Sequence, residues 1–229
     1  MTRFGSTAMV LLGLMAPLAA GCIRTDDGVA VRTEDVVIPT SVPAQAAPST
    51  QDAGPAAPGV VTTTRAPVPA DTVTCPQPPV VPRVTVPTAD PQAPSVTIAL
   101  PDGWSDESIS DDGAKLSGPD GMFATVKITQ TNLDPAAAFT DYADKMMGVS
   151  AVSSVSVLPD ELCGYSGQKL MGAWSDTPQQ SIEFLDRIVH IWTDTGNYLV
   201  AIHVQAPAGT QGFDAASAVL TGDFAVRIP

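Results

Sequence analysis

From residue 95 onward apolar and polar positions alternate in short runs, and most runs end at a turn signal. Val96-Thr-Ile-Ala-Leu100 alternates and stops at Pro101-Asp-Gly103, which predicts a strand followed by a turn. Ala114–Ser117 is a second short strand, set between the hairpin signals Asp112-Gly113 and Asp120-Gly121. Met122–Asn132 is rich in β-formers and predicts a third. The period then changes. Asp134-Pro135 opens a helix, with the carboxylate at the cap and proline in the first turn. Phe139, Tyr142, Ala143 and Met146 recur at helical spacing up to Met147, and Gly148 ends the run. Four further strands are predicted at 152–158, 168–174, 181–193 and 198–205. In the last of these Tyr198, Val200, Ile202 and Val204 alternate with Leu199, Ala201, His203 and Gln205. A helix over 210–220 carries Phe213, Ala216 and Leu220 on one side, and Phe224–Ile228 closes the chain. Hairpin-linked strands with two helices predict an α+β domain, an antiparallel sheet packed between helices.

The first 94 residues show neither period. Arg3 is the only charge before Arg24, and the run between them has an apolar centre at Ala8–Met15. Small residues follow at Ala19-Ala20-Gly21, then Cys22. A basic start, a short apolar core and a small-residue exit make a secretory signal over 1–21. Leu18-Ala19-Ala20-Gly21-Cys22 resembles the lipobox of bacterial lipoproteins, with Ala19 where leucine is more usual. That resemblance implies a diacylglyceryl group on Cys22. The alternative is an ordinary signal peptide cut after Ala20 or Gly21. Two acyl chains anchor stably where one binds marginally, so a lipidated chain is anchored to the membrane without crossing it.

Composition sharpens this division. Of 22 prolines, 14 fall between Pro39 and Pro94. Proline lacks an amide donor and fixes φ, so 22–94 reads as the anchor cysteine and a stiff tether, and 95–229 as the globular domain. The chain carries −13 overall, and residues 95–229 hold six basic against seventeen acidic side chains. Such a surface repels phosphate backbones and excludes nucleic acid as a partner.

Cys75 and Cys163 remain once Cys22 is assigned to the anchor. Outside the cytoplasm two leftover thiols pair. The bridge closes a loop of about 88 residues and contributes about 4–5 kcal/mol in the chain-entropy model. It is expected to pin 75–94 onto the domain. A redox pair would need Cys-x-x-Cys spacing, which is absent.

The order of elements, with Val96–Trp104, the helix from Pro135, Gly164-Tyr-Ser-Gly-Gln-Lys-Leu-Met-Gly172, the long strand to Trp192 and the final helix, resembles the LpqN/Mtc28 family of mycobacterial lipoproteins and proline-rich antigens. The resemblance covers 95–229 together with the lipobox-and-linker plan. It implies a fold similar to PsbP and Mog1 and a role at the mycobacterial envelope in handling cell-wall lipids. It brings no catalytic motif.

Candidate chemistry is sparse. His190 and His203 lie on predicted strands without a third ligand in any metal spacing, so they read as ordinary sheet histidines. No Gly-x-Ser-x-Gly elbow and no phosphate-binding glycine loop occur; Ser166 in Gly164-Tyr-Ser-Gly167 is the nearest imitation. Asp102, Asp106, Glu107, Asp111 and Asp112 read as a solvated acidic loop, their spacing fitting no calcium loop. Trp104, Trp174 and Trp192 remain, with Phe184 and Ile188 expected on the face of Trp192. Trp104, Trp174, Phe184 and Trp192 are the candidates for an apolar ligand groove; core packing is the plainer reading of each. The sequence thus predicts a non-enzymatic, exported, monomeric lipoprotein without cofactor or metal. Its domain stands outside the membrane, in the cell wall or periplasmic space, and binds a ligand or partner such as an envelope lipid or a lipid transporter. The rival is a surface-exposed interaction module or antigen without a small-molecule ligand.

Overall fold

The computed structural model describes residues 57–62, 65–75, 82–110, 113–177 and 180–229. The predicted signal segment, Cys22 and the tether up to residue 56 lie outside these residues.

Among the described residues ten strands and two α-helices follow in chain order: β1 Arg83–Val86, β2 Ser95–Ala99, β3 Ser105–Ser110, β4 Gly113–Ser117, β5 Phe123–Thr131, α1 Pro135–Met147, β6 Val152–Leu162, β7 Tyr165–Ser175, β8 Ser181–Trp192, β9 Asn197–Pro207, α2 Phe213–Leu220 and β10 Ala225–Arg227. Seven strands form one sheet in the order β3-β4-β5-β9-β8-β7-β6, and every neighbouring pair is antiparallel. A second sheet has the order β1-β2-β10.

Side chains alternate across the large sheet because successive Cβ atoms point to opposite faces. Val126, Val189, Ile191, Val200, Ile202 and Val204 face a large core that also takes Val96, Ile98 and Val226 of the small sheet and Phe213 and Leu220 of α2. Leu170, Phe184, Ile188 and Ala201 face a smaller core closed by Phe139, Tyr142 and Met146 of α1. The sheet therefore lies between α1 on one side and α2 with the small sheet on the other, the α+β arrangement expected.

The cap and stop of α1 fall as the sequence predicts. Asp134 Oδ1 accepts from the Ala137 N–H at 2.9 Å, Pro135 opens the helix, and Gly148 follows Met147. The last helix starts later, at Phe213. Residues 207–210 form a turn in which the Thr210 N–H and hydroxyl both donate to Pro207 O, and Gly212 has φ +81, so helical geometry cannot begin before Phe213.

Three segments differ from the sequence reading. Residues 105–110, expected within an acidic loop, form strand β3 at the open edge of the sheet, with all six residues exposed. Charged side chains such as Asp106 and Glu107 protect such an edge from further pairing. Strand β6 continues to Leu162, past Pro159, because an edge strand tolerates a residue that cannot donate. The ordered fold also begins well before Ser95. Arg83–Val86 pairs with β2, Val73 bridges to Arg227, and the Thr74 N–H donates to Val226 O. Cys75 and Cys163 form the expected disulfide, which pins this segment to the β6–β7 turn.

Further upstream, residues 58–61 lie across β7. The Gly167 N–H donates to Gly59 O at 3.0 Å, and Gln168 Nε2 donates to Pro58 O at 2.7 Å. The Val61 N–H donates to Ser166 Oγ, and Val60 packs on the smaller core. Gly59 permits this approach: its φ is +75, and a Cβ there would stand 1.8 Å from Gly167 O.

Arg187 ties the edges of the domain together. It is 2 % exposed, on β8. Its Nε lies 2.6 Å from Asp160 Oδ2, and its terminal nitrogens donate to Glu161 O, Asp223 Oδ1 and the carbonyls of Thr221 and Gly222 behind α2. The guanidinium also sits over the Phe224 ring. A cation beyond a helix C-terminus is favoured by the partial negative charge of the last carbonyls.

Candidate functional groove

A groove runs along the α1 face of the large sheet. Its floor is β5 and β9, and its wall is α1. One segment, of about 270 Å³, is lined by Thr125, Lys127, Tyr142, Met146, Val149, Trp174, Ala201, His203 and Gln205. A second, of about 240 Å³, adds Thr129, Leu133, Lys145 and Leu199 and shares Lys127, Tyr142 and Ala201 with the first.

Sheet register places the polar groups of the floor. Thr125, His203, Asp186 and Leu170 form one row across β5, β9, β8 and β7. Directly opposed residues of neighbouring strands hold their Cβ atoms about 5 Å apart. His203 Nδ1 therefore reaches Asp186 Oδ1 at 2.6 Å. Tyr142, coming down from α1, donates its hydroxyl to Asp186 Oδ2 at 2.9 Å. His203 Nε2 stands 2.9 Å from Gln205 Oε1. Asp186 is completely buried, and these bonds satisfy both of its oxygens. The next row holds Gln205, Phe184 and Gly172. Trp174 stacks on Phe184 at 4.7 Å and lies nearly parallel to His203 at 5.6 Å. Glycine at 172 is set first by the neighbouring strand β6, since a Cβ there would stand 1.9 Å from Ser154 O, and it would also lie 3.0 Å from the Phe184 ring.

Electrostatics follow from this geometry. Burial pushes the Tyr142 phenol well above its ordinary range, and the Asp186 carboxylate adds to the shift. Burial pulls the His203 imidazole down, but the hydrogen bond and charge of Asp186 outweigh it, and the net shift is upward. His190, on the same face, goes the other way: burial lowers it, and its Nε2 is 3.0 Å from Leu133 O.

The four predicted groove aromatics do not share one groove. Trp174 and Phe184 come together beside His203, Phe184 beneath the surface. Trp104 is buried in a separate cleft of about 390 Å³ between Leu100–Pro101, Met122 and α2. Its ring fills the space a side chain at Gly118 would need, with a Cβ there only 2.4 Å away. Trp192 does not share the environment of Phe184 and Ile188. It packs edge-on to Tyr165 against the larger core, at the end of β8, and lines a third cleft with Arg65–Pro67. The sequence reading missed Lys127, Asp186 and the site role of His203. One signal was present: Asp186-Arg187 interrupts an apolar strand, and charges in such a run are rarely buried unless paired.

Among the described residues no three His, Cys, Asp or Glu side chains gather as a metal site, and no helix is long and apolar enough to cross a membrane. No family model matches the chain, and no curated relative does. Solved structures do. LpqN of Mycobacterium tuberculosis, described as involved in cell envelope biogenesis, superposes with a TM-score of 0.50 at 16% identity over 65% of this chain and 92% of that one. The Ran-binding protein Mog1p of Saccharomyces cerevisiae gives 0.36 at 12% identity over 62% and 86%. A Mog1 mutant gives 0.37 at 14% identity over 60% and 84%. The fold is thus an antiparallel α+β fold distantly similar to that of LpqN.

Proposed function

We propose that this chain is a non-enzymatic envelope lipoprotein, anchored through Cys22, whose domain binds an amphiphilic envelope lipid in the α1 groove. One observation carries the reading. The groove has apolar walls, Trp174, Met146, Val149 and Leu199, around a hydrogen-bonded polar floor, Tyr142–Asp186–His203, which is the usual make-up of a small-molecule site. The disulfide suits an oxidising compartment, and the LpqN-like fold agrees with a place at the envelope. A role in lipid handling agrees with both.

Native mass spectrometry with lipid extraction tests this on the full chain taken from the envelope of an actinobacterial host. A co-purifying amphiphile, lost in Thr125→Trp, which fills the groove from its floor, is expected. A clean apo mass, unchanged after incubation with host lipids, sinks the reading. For the anchor, Cys22→Ala should move the protein out of the detergent phase; a variant that still partitions as wild type overturns lipidation.

The rival, a protein-interaction module, has its own support. Val152, Val157 and Leu158 on the free edge strand β6 and Met171 beside them are exposed. An apo mass together with retention of a partner dependent on β6 would favour it.

A further inference from the structure

Resting on the groove reading above, we propose that the ligand is a single-chain amphiphile with an anionic head, a carboxylate or phosphate monoester. Its chain lies against Trp174, Met146 and Val149, and its head is held by Lys127, next to the His203 imidazolium that offsets the Asp186 carboxylate.

Charge carries the argument first. The domain is strongly acidic, so an anion has few places to bind. Lys127 lines both segments of the groove, is exposed, and makes no ion pair among the described residues. Asp141, a carboxylate lining the second segment, is taken by Lys145 at 2.7 Å. Both ring nitrogens of His203 face oxygen acceptors, Asp186 Oδ1 and Gln205 Oε1. Carboxylate and amide oxygens only accept, so this arrangement suits the imidazolium, with a proton on each nitrogen. Asp186 then cancels one positive charge, and the charge of Lys127 is left over at the groove mouth.

Size carries the rest. Each segment is near or below the roughly 300 Å³ at which small-molecule pockets begin. The two together suit one unbranched chain better than a lipid with several. Flat apolar contact comes from Trp174, whose other side is supported by Phe184. Thr125 and Gln205 stand beside the cations as neutral hydrogen-bonding groups.

The titratable groups facing His203 are Asp186 from β8, Tyr142 from α1 and Lys127 from β5; Trp174 of β7 and Gln205 of β9 are neutral. Asp186 outweighs both burial and Lys127, so the imidazolium persists above its ordinary range. Affinity for the anion should therefore fall as pH rises through that elevated range, while affinity for an uncharged chain should stay flat.

Equilibrium dialysis of the full chain, disulfide intact, against laurate, dodecyl phosphate and dodecanol tests the proposal. At least one anion should bind about tenfold or more tighter than dodecanol, the size of a hydrogen bond to a charged group. Which anion it is separates a fatty-acid from a phosphate head. Lys127→Gln, a change at an exposed position, should bring the anion down to the level of the alcohol and leave the alcohol unchanged. Equal binding of anion and alcohol by the wild type overturns the headgroup assignment while the groove reading stands. Failure of all three probes to bind overturns both.

Discussion

The two faces of the large sheet are built from the same strands and are made differently. Toward α2 and the small sheet, Val126, Val189, Val200, Ile202 and Val204 present a continuous apolar surface, and the buried cation Arg187 is fully engaged at its border. Toward α1, Phe184 and Ile188 share the surface with Asp186, His190 and His203. The first face is closed by a hydrophobic core. The second keeps polar groups hydrogen-bonded at the floor of an open groove, an arrangement that costs stability relative to an apolar isostere. One strand, β8, takes part in both, with Arg187 pointing one way and Asp186 the other.

Breaking the core face should cost most. Arg187→Ala leaves Asp160 and the carbonyls behind α2 without their partner, and a loss of about 3–5 kcal/mol is expected in urea denaturation. A midpoint close to wild type would show that the buried cation is dispensable. Removing the disulfide with Cys75→Ala and Cys163→Ala together should cost about 4 kcal/mol, since the bridge closes a loop of 88 residues. It should also deprotect the Thr74 amide in hydrogen exchange, because that amide bonds Val226 O in the pinned segment.

The groove face should instead be read through pH. The folded pKa of His203 is raised above 6.5, so its contribution is fully present below 6.5 and is lost as pH rises through the folded value. The folded pKa of His190 is lowered, so its cost appears as pH falls below 6.5 and the unfolded state takes up the proton first. Denaturation midpoints measured across this range should therefore fall off on both sides. His203→Gln should remove only the alkaline loss, and His190→Gln only the acidic one. If either variant changes both limbs, the two sites are not independent. A smaller effect lies at the entrance to α1: Asp134→Ala should cost about 1 kcal/mol by removing the cap on the Ala137 N–H, measurable as a shift in Tm.

Local signals made much of this architecture legible. The period of 123–131 against that of 135–147, the Asp134-Pro135 cap and the Gly148 stop are set by backbone and side-chain preferences within a few residues. The Cys75–Cys163 pairing followed once Cys22 was set aside for the anchor and the domain was read as exported. The acidic strand β3 was not legible, because six exposed residues have no inward face to impose a period of two. The contribution of 57–75 and of β1 was hidden by prolines that suit an extended edge as well as a free tether.

The groove shows the limit most clearly. His203 and Asp186 are seventeen residues apart in sequence, and Tyr142 lies on another element altogether. Their meeting depends on strand register and on which side of the sheet α1 covers. Trp104, Trp174 and Trp192 looked equivalent as residues, but the topology sends them to three different places. Sequence determined the elements and their faces because those depend on near neighbours. The site was decided by the pairing of β5, β9, β8 and β7, which brings distant charges within hydrogen-bonding distance only after the chain has closed its long loops.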